Sequence, residues 1–192
     1  MKNLSPLHAE SRVSWLAHTA SACLIDEARL SPKPGLVDSR GNGAHQDLNL
    51  ALMERSARSL QPTFHALAEQ SWRRPADIAL RETVGRLGRE GEAQMMLATG
   101  GVNTHRGAIW ALGLLVSAVA MLGGEGQSQA IAGTAAALAR LDLGREQVAV
   151  RAVGIQVVGV VKDQAIPLVV MQTQAAPDDL LEQAHALRLA QD

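Results

Sequence analysis

Apolar side chains recur at helical spacing along the first part of the chain. Between Ser11 and Leu30 this spacing predicts an amphipathic helix with Ser11 as its N-cap. The apolar positions of that helix are Val13, Leu16, Ala17, Ala20, Leu24 and Ala28. The same periodicity predicts further helices over residues 48–60, 62–71 and 75–99.

A polar loop follows the first helix, over residues 31–47. Pro32 and Pro34 end the helix because neither can donate a backbone amide and each restricts the residue before it. The polar and charged side chains of the loop include Lys33, Asp38, Arg40, Asn42, His45 and Asp47. Three glycines add unusual backbone angles, so the composition favours a ligand-binding loop over a core segment.

A second loop, residues 99–107, reads Thr-Gly-Gly-Val-Asn-Thr-His-Arg-Gly and leads into an apolar helix. Asn103 or Thr104 is predicted to cap that helix, so free amides and the positive end of the dipole favour an anion site. In the alternative interpretation, Arg106 points into solvent and the glycine pair is only a turn.

The apolar stretch over residues 107–122 is shorter than the roughly 20 residues that a membrane-spanning helix needs. We therefore predict a buried core helix there, followed by an alanine-rich helix over residues 128–141. The fold class expected from these elements is a mainly all-α helical bundle.

The character of the chain changes after residue 141. Valine and isoleucine are enriched over residues 147–173, which predicts a β-hairpin or an aberrant C-terminal segment. Residues 178–189 resemble a short closing helix. The length of 192 residues suits a single domain over residues 1–192.

Composition excludes several classes of protein. A formal net charge of -1 and 2% aromatic residues do not favour a nucleic acid partner. Cys23 is the single cysteine, so the chain forms neither an internal disulfide nor a thiolate zinc cluster by itself. No secretory signal or membrane span is recognisable, and we expect a cytoplasmic protein.

Acidic residues occupy an unfavourable place at the end of the first helix. Asp26 and Glu27 face the negative end of the helix dipole, which suits coordination of magnesium. The alternative is an ion pair with Arg29 or a solvated face. Glu90 and Glu92 are further candidates for metal binding or proton transfer.

The two loops together resemble one known family. Glu27, Pro-Lys-Pro-Gly-Leu-Val-Asp at residues 32–38 and Asn-Gly-Ala-His-Gln-Asp at residues 42–47 are similar to the first signature of triphosphoribosyl-dephospho-coenzyme A synthases, which serve citrate lyase and malonate decarboxylase systems. Glu92, Met95 and the run from residue 99 to 109 resemble the second signature, with Arg106 where lysine is common. The resemblance covers about residues 10–140, and we interpret residues 141–192 as atypical, through truncation or an altered reading frame.

This resemblance implies a transferase. It would move the triphosphoribosyl group of ATP to the ribose 2'-hydroxyl of 3'-dephospho-coenzyme A, with adenine as the leaving group and magnesium as the divalent ion. The product would be a prosthetic-group precursor, which a separate transferase places on an acyl carrier protein of a lyase or decarboxylase.

Roles for individual residues follow from the resemblance and from the expected oxocarbenium-like transition state. The catalytic candidates are Asp38, His45, Asp47 and His105. The candidates for binding substrate phosphates are Lys33, Arg40, Gly100, Gly101, Asn103, Thr104 and Arg106. The candidates for binding magnesium are Glu27 and Glu92.

Two other classes of function remain open. A nucleotide-binding relative without catalysis would bind ATP and release no adenine. An all-α metal-dependent phosphohydrolase would use the acidic and histidine residues, although the chain lacks the histidine-aspartate doublets expected of one.

Overall fold

The structure, a computed structural model, describes residues 6–141, which form six α-helices. The helices are α1 (Pro6–Arg29), α2 (Leu50–Ser59), α3 (Gln61–Ser71), α4 (Ile78–Ala98), α5 (Arg106–Met121) and α6 (Ser128–Ala139). Over the same residues the backbone forms no strand, and one isolated bridge pairs Asp38 with Gly41. The prediction of a helical bundle is confirmed.

The predicted hairpin over residues 147–173 and the closing helix over residues 178–189 lie outside the described residues. The prediction of a single domain also extends beyond them and stays a prediction.

Helix α1 buries the face that the sequence pattern predicts. Its six apolar positions, Val13 to Ala28, are each at most 6% exposed. The prediction that Ser11 caps the helix is wrong, because α1 begins at Pro6. A proline fits the first turn since its missing amide needs no partner there. The regular apolar spacing begins only at Val13, so it does not report where the helix starts.

Side-chain caps set the start of α2 and α4. Asn49 Oδ1 accepts the Leu52 amide at 2.9 Å, and Asp77 Oδ1 accepts the Leu80 amide at 2.7 Å. Each bond satisfies a first-turn amide that has no partner within its helix. The two helices therefore begin two and three residues later than hydrophobic spacing alone predicts.

Helix α5 lies in the core and packs against α3, α4 and α6. Nine of its residues are buried, and a Cβ on Gly113 would lie only 3.1 Å from Leu67 Cδ1 of α3. Phe64 and Leu67 of α3 are at most 1% exposed. The buried core helix predicted over residues 107–122 is confirmed. None of the helices that the structure describes is long and apolar enough to cross a membrane.

The position of α2 brings the two loops together. Helix α2 packs against both α1 and α4. The first loop, residues 30–49, leads from α1 into α2, and the second loop, residues 99–105, leads from α4 into α5. Both loops therefore reach the neighbourhood of α2.

Candidate functional site

A buried carboxylate holds the first loop together. Asp38 is 3% exposed and accepts the backbone amides of Lys33, at 3.0 Å, and Arg40, at 2.8 Å. The Arg40 side chain donates twice more, from Nε at 3.0 Å and from Nη2 at 2.8 Å. These donors, the Arg40 side chain first, hold the pKa of Asp38 well below its usual range. Asp38 is therefore ionised at physiological pH, and both of its oxygens shape the loop.

Lys33 ties the first loop to the end of α1. Its ammonium donates to the Glu27 main-chain oxygen at 2.8 Å and lies 3.2 Å from Glu27 Oε1. A cation is favoured at a helix C-terminus, so Lys33 offsets the unfavourable position of Glu27. Arg29 pairs instead with Glu54 of α2, at 2.6 Å. The ion pair of Glu27 is therefore with Lys33 and not with Arg29.

The first loop folds back on itself at a glycine. Gly43 has a φ of 59°, and a Cβ there would overlap the carbonyl oxygens of Gly35 and Leu36. The Ala44 amide donates to the Gly35 oxygen at 3.0 Å. A side chain at residue 43 would therefore open the loop.

The second loop begins as the end of α4. Gly100 and Gly101 have φ values of 67° and 92°, and their amides donate to the carbonyls of Leu97 and Met96. This is the glycine-rich ending that many helices have. The amides of both glycines are therefore engaged within the protein, as the turn interpretation expects.

Unengaged amides lie a few residues later, at the start of α5. Asn103 Oδ1 accepts the Arg106 amide at 3.3 Å, but the N-cap position itself is held by His105 and not by Asn103 or Thr104 as predicted. No acceptor among residues 6–141 takes the amides of Gly107 and Ala108. The Arg106 guanidinium forms an ion pair with Glu92 of α4. The first turn of α5 thus presents two amides, a positive dipole end and a cation, which together suit an anion.

A buried polar cluster joins α2 to the second loop. Ser56 Oγ lies 2.5 Å from Thr104 Oγ1 and 2.8 Å from His105 Nδ1. The His105 backbone amide donates to Met95 Sδ at 3.2 Å. Ser56 is fully buried and His105 is 5% exposed. We call Ser56, Thr104 and His105 the buried cluster.

Burial determines the charge of His105. It lowers the pKa of His105 to about 4, and the nearby charge of Lys33 contributes to the shift. His105 is therefore neutral at pH 7. Its Nε2 is buried without a hydrogen-bond partner among the described residues. The charge of Lys33, in the first loop, thus disfavours the protonated form of this residue of the second loop.

Not every candidate joins this arrangement. His45 is half-buried and Asp47 is exposed, and neither side chain makes a hydrogen bond or ion pair with another described residue. The two metal candidates lie in separate ion pairs, Glu27 with Lys33 and Glu92 with Arg106. Within residues 6–141 no three His, Cys, Asp or Glu side chains come together as a metal site.

Comparison with known protein families identifies the family of this chain. A family model described as ATP:dephospho-CoA triphosphoribosyl transferase matches residues 13–191 of the chain. The chain belongs to this family. The match includes both loops, which confirms the resemblance recognised in their motifs, and it continues past residue 140.

Named members of the family are close relatives. A 2-(5''-triphosphoribosyl)-3'-dephosphocoenzyme-A synthase of Klebsiella pneumoniae is 99% identical over 141 residues, which are 73% of this chain and 50% of that protein. A probable synthase of the same name from Stutzerimonas stutzeri is 58% identical over 144 residues, 74% of this chain and 49% of that protein. The chain thus spans about half the length of the curated relatives it matches. No solved structure matches it.

Ser56 is the residue of this site that sequence reasoning missed. It lies four residues after Leu52 and four before Leu60, on the stripe of α2 that is otherwise apolar. A polar residue on a buried stripe is the informative exception, because a buried hydroxyl needs a partner. Its place on this stripe could have marked Ser56 as a candidate, although the sequence does not show that His105 is its partner.

Proposed function

We propose that this chain binds ATP at the two loops and takes part in transfer of its triphosphoribosyl group to 3'-dephospho-coenzyme A, with release of adenine. The observation that carries the proposal is the convergence of two loops beside α2, the first containing the Arg40–Asp38 ion pair and the second flanked by the Arg106–Glu92 ion pair. The names of the relatives supply the reaction. The chain spans about half the length of these relatives.

The triphosphate would bind between the cations of the two loops. Lys33, Arg40 and Arg106 supply positive charge, and the amides of Gly107 and Ala108 supply free donors. Charge-assisted bonds of this kind are stronger than neutral ones, so several of them suit a polyanion. Asn103 and Thr104 would act by positioning, since Asn103 accepts the Arg106 amide and Thr104 contacts Ser56. Gly100 and Gly101 would contribute the turn that aims this segment.

Magnesium would bind together with ATP, coordinated by its phosphates. Phosphate oxygens that draw Lys33 and Arg106 away from Glu27 and Glu92 would leave these carboxylates without their cations. Magnesium beside a polyphosphate usually takes only one or two protein carboxylates and keeps several waters. The described donors suit an ion shared with ATP and do not suit one held by protein alone.

The chemistry is a glycosyl transfer. The 2'-hydroxyl of the acceptor attacks the anomeric carbon of ATP, the bond to adenine breaks, adenine takes a proton and the hydroxyl loses one. An anion near the ribose stabilises the cationic transition state. We assign this role to Asp47, whose carboxylate is exposed, while Asp38 shapes the loop. His105 is neutral at pH 7, so we assign proton donation to His45 and positioning to His105.

The product would serve other proteins. We propose that it is the precursor of a prosthetic group, which a separate transferase attaches to an acyl carrier protein of a citrate lyase or malonate decarboxylase. Support for this step comes from the family resemblance.

The proposed reaction has a direct assay. The purified chain is incubated with ATP, magnesium and 3'-dephospho-coenzyme A, and free adenine and the coupled product are followed by chromatography and mass. Adenine matched by product supports the transferase. ATP binding without adenine release would instead identify a non-catalytic nucleotide-binding relative, and release of inorganic phosphate would identify a phosphohydrolase.

A further inference from the structure

Two arginines of α4 converge on one glycine of the same helix. A Cβ on Gly85 would lie 3.2 Å from Arg81 Nη1 and 3.4 Å from Arg89 Nη1. The two guanidiniums therefore share the small surface that the missing side chain leaves open. Arg81 is also stacked on Trp110 of α5, with its guanidinium carbon 4.6 Å from the ring centre. We call Arg81, Arg89 and Trp110 the arginine pocket.

The arginine pocket has no balancing carboxylate within residues 6–141. Neither Arg81 nor Arg89 forms an ion pair with a described residue, and Arg81 Nε is buried without a hydrogen-bond partner there. Arg86 on the same helix is different, since it pairs with Glu90 at 2.7 Å. Arg81 and Arg89 lie one turn on either side of Gly85, and their like charges repel where the two side chains meet. Burial first, and then the charge of Arg89, lower the pKa of Arg81.

The position of the pocket links it to the proposed site. Arg89 precedes Glu92 by one helical turn, and Glu92 pairs with Arg106 at the start of α5. Arg81 lies eight residues before Arg89, about 12 Å at the rise of an α-helix. Arg81 and Arg89 therefore lie on the helix whose Glu92 pairs with Arg106 at the start of α5.

We propose that the arginine pocket binds a pyrophosphate group, held by the two guanidiniums, with Trp110 as the floor beneath Arg81. Two converging guanidiniums match the several oxygens of such an anion. Gly85 leaves room for the two guanidiniums to approach each other. Which substrate supplies the group rests on the proposed function, since ATP and 3'-dephospho-coenzyme A both contain linked phosphates.

Inorganic pyrophosphate, titrated calorimetrically into the full chain without magnesium, tests the pocket itself. Arg89→Gln removes an exposed cation and should raise the dissociation constant about five- to tenfold. Arg86→Gln makes the same change of charge one turn away, on a cation that Glu90 already neutralises, and should change it less than twofold. Equal binding by wild type and Arg89→Gln, or equal weakening by both variants, would overturn the proposal.

The same variants titrated with ATP and with 3'-dephospho-coenzyme A identify the source of the group. Weakening confined to 3'-dephospho-coenzyme A assigns the pocket to the acceptor, and weakening confined to ATP assigns it to the donor. Pyrophosphate binding does not depend on turnover. If the wild-type chain releases no adenine but Arg89→Gln still weakens pyrophosphate binding, the proposed function is contradicted and the arginine pocket is supported.

Discussion

Ser56 Oγ lies 2.8 Å from His105 Nδ1, and this hydrogen bond joins α2 to the second loop across 49 positions of the chain. The same hydroxyl lies 2.5 Å from Thr104 Oγ1. One buried serine therefore holds two residues of the segment that leads into α5. This contact fixes the segment just before α5 against α2.

Replacement of Ser56 should be costly. Ser56→Ala leaves His105 and Thr104 without a buried partner, which we expect to reduce the free energy of unfolding by about 1–3 kcal/mol. Urea denaturation measures the change. Ser59→Ala is the matched control, because the Ser59 hydroxyl donates only to the Ser56 carbonyl of its own helix and is less buried. Equal costs for the two variants would contradict the role given to the buried cluster.

Stability should depend on pH through His105. Its folded pKa of about 4 lies below the ordinary value of 6.5, so protonation favours the unfolded chain. The contribution is present above pH 6.5 and is lost as the pH falls from 6.5 toward 4. The whole pKa shift of His105 corresponds to about 3 kcal/mol in the free energy of unfolding.

Urea midpoints at pH 7, 6 and 5 measure this dependence. Asp38 and Glu54 also have lowered pKa values, but these change the stability mainly below the ordinary values of 3.8 and 4.5. The change in stability between pH 7 and pH 5 is therefore assigned to His105. His105→Gln should flatten the dependence, whereas His18→Gln, at an exposed position, should retain it. A slope that survives in His105→Gln would contradict the assignment.

Two glycines of α4 should respond oppositely to the same substitution. A Cβ on Gly91 would lie 2.5 Å from Thr63 Cγ2 of α3, while nothing lies within 4 Å of one on Gly88. Gly91→Ala should therefore destabilise the fold by about 1–3 kcal/mol through overpacking. Gly88→Ala should stabilise it by up to about 1 kcal/mol, the helix propensity of alanine. Thermal melts of both variants check the pair, and similar melting temperatures would mean that α3 and α4 are not in close contact at Gly91.

Magnesium dependence should identify the role of Glu92. If its carboxylate is exchanged from Arg106 to a magnesium ion on ATP, Glu92→Gln should raise the magnesium concentration for half-maximal adenine release at least about fivefold. Glu90→Gln is the control, because Glu90 pairs with Arg86 on the same helix. An unchanged magnesium requirement in Glu92→Gln would leave Glu92 as a counter-ion of Arg106 only.

The helices were predictable because burial imposes a period on the sequence. Val13 to Ala28 lie at the spacing of one helical face, and the structure buries all six apolar positions. The ends of helices were less predictable, because they depend on single caps such as Asn49 and Asp77. Ser11 is an example: it is a plausible N-cap in the sequence, but the helix continues past it to Pro6, so Ser11 lies inside the helix.

The site was predictable in its parts and not in its connections. The glycines, prolines and charges of the two loops mark them as candidate binding segments in the sequence itself. Which cation pairs with which carboxylate depends on the packing of distant helices: Lys33 meets Glu27, Arg106 meets Glu92, and Arg29 takes Glu54. The predicted roles of the individual site residues stay predictions.

The sequence by itself determined a mainly helical bundle with two loops that resemble those of one transferase family, because hydrophobic periodicity and loop motifs are local properties. Only the tertiary structure decided that His105 is buried and neutral, that Ser56 is its partner, and that Arg81 and Arg89 share the space above Gly85. Burial and electrostatic contact arise between segments far apart in the chain, so they are settled only when the helices pack.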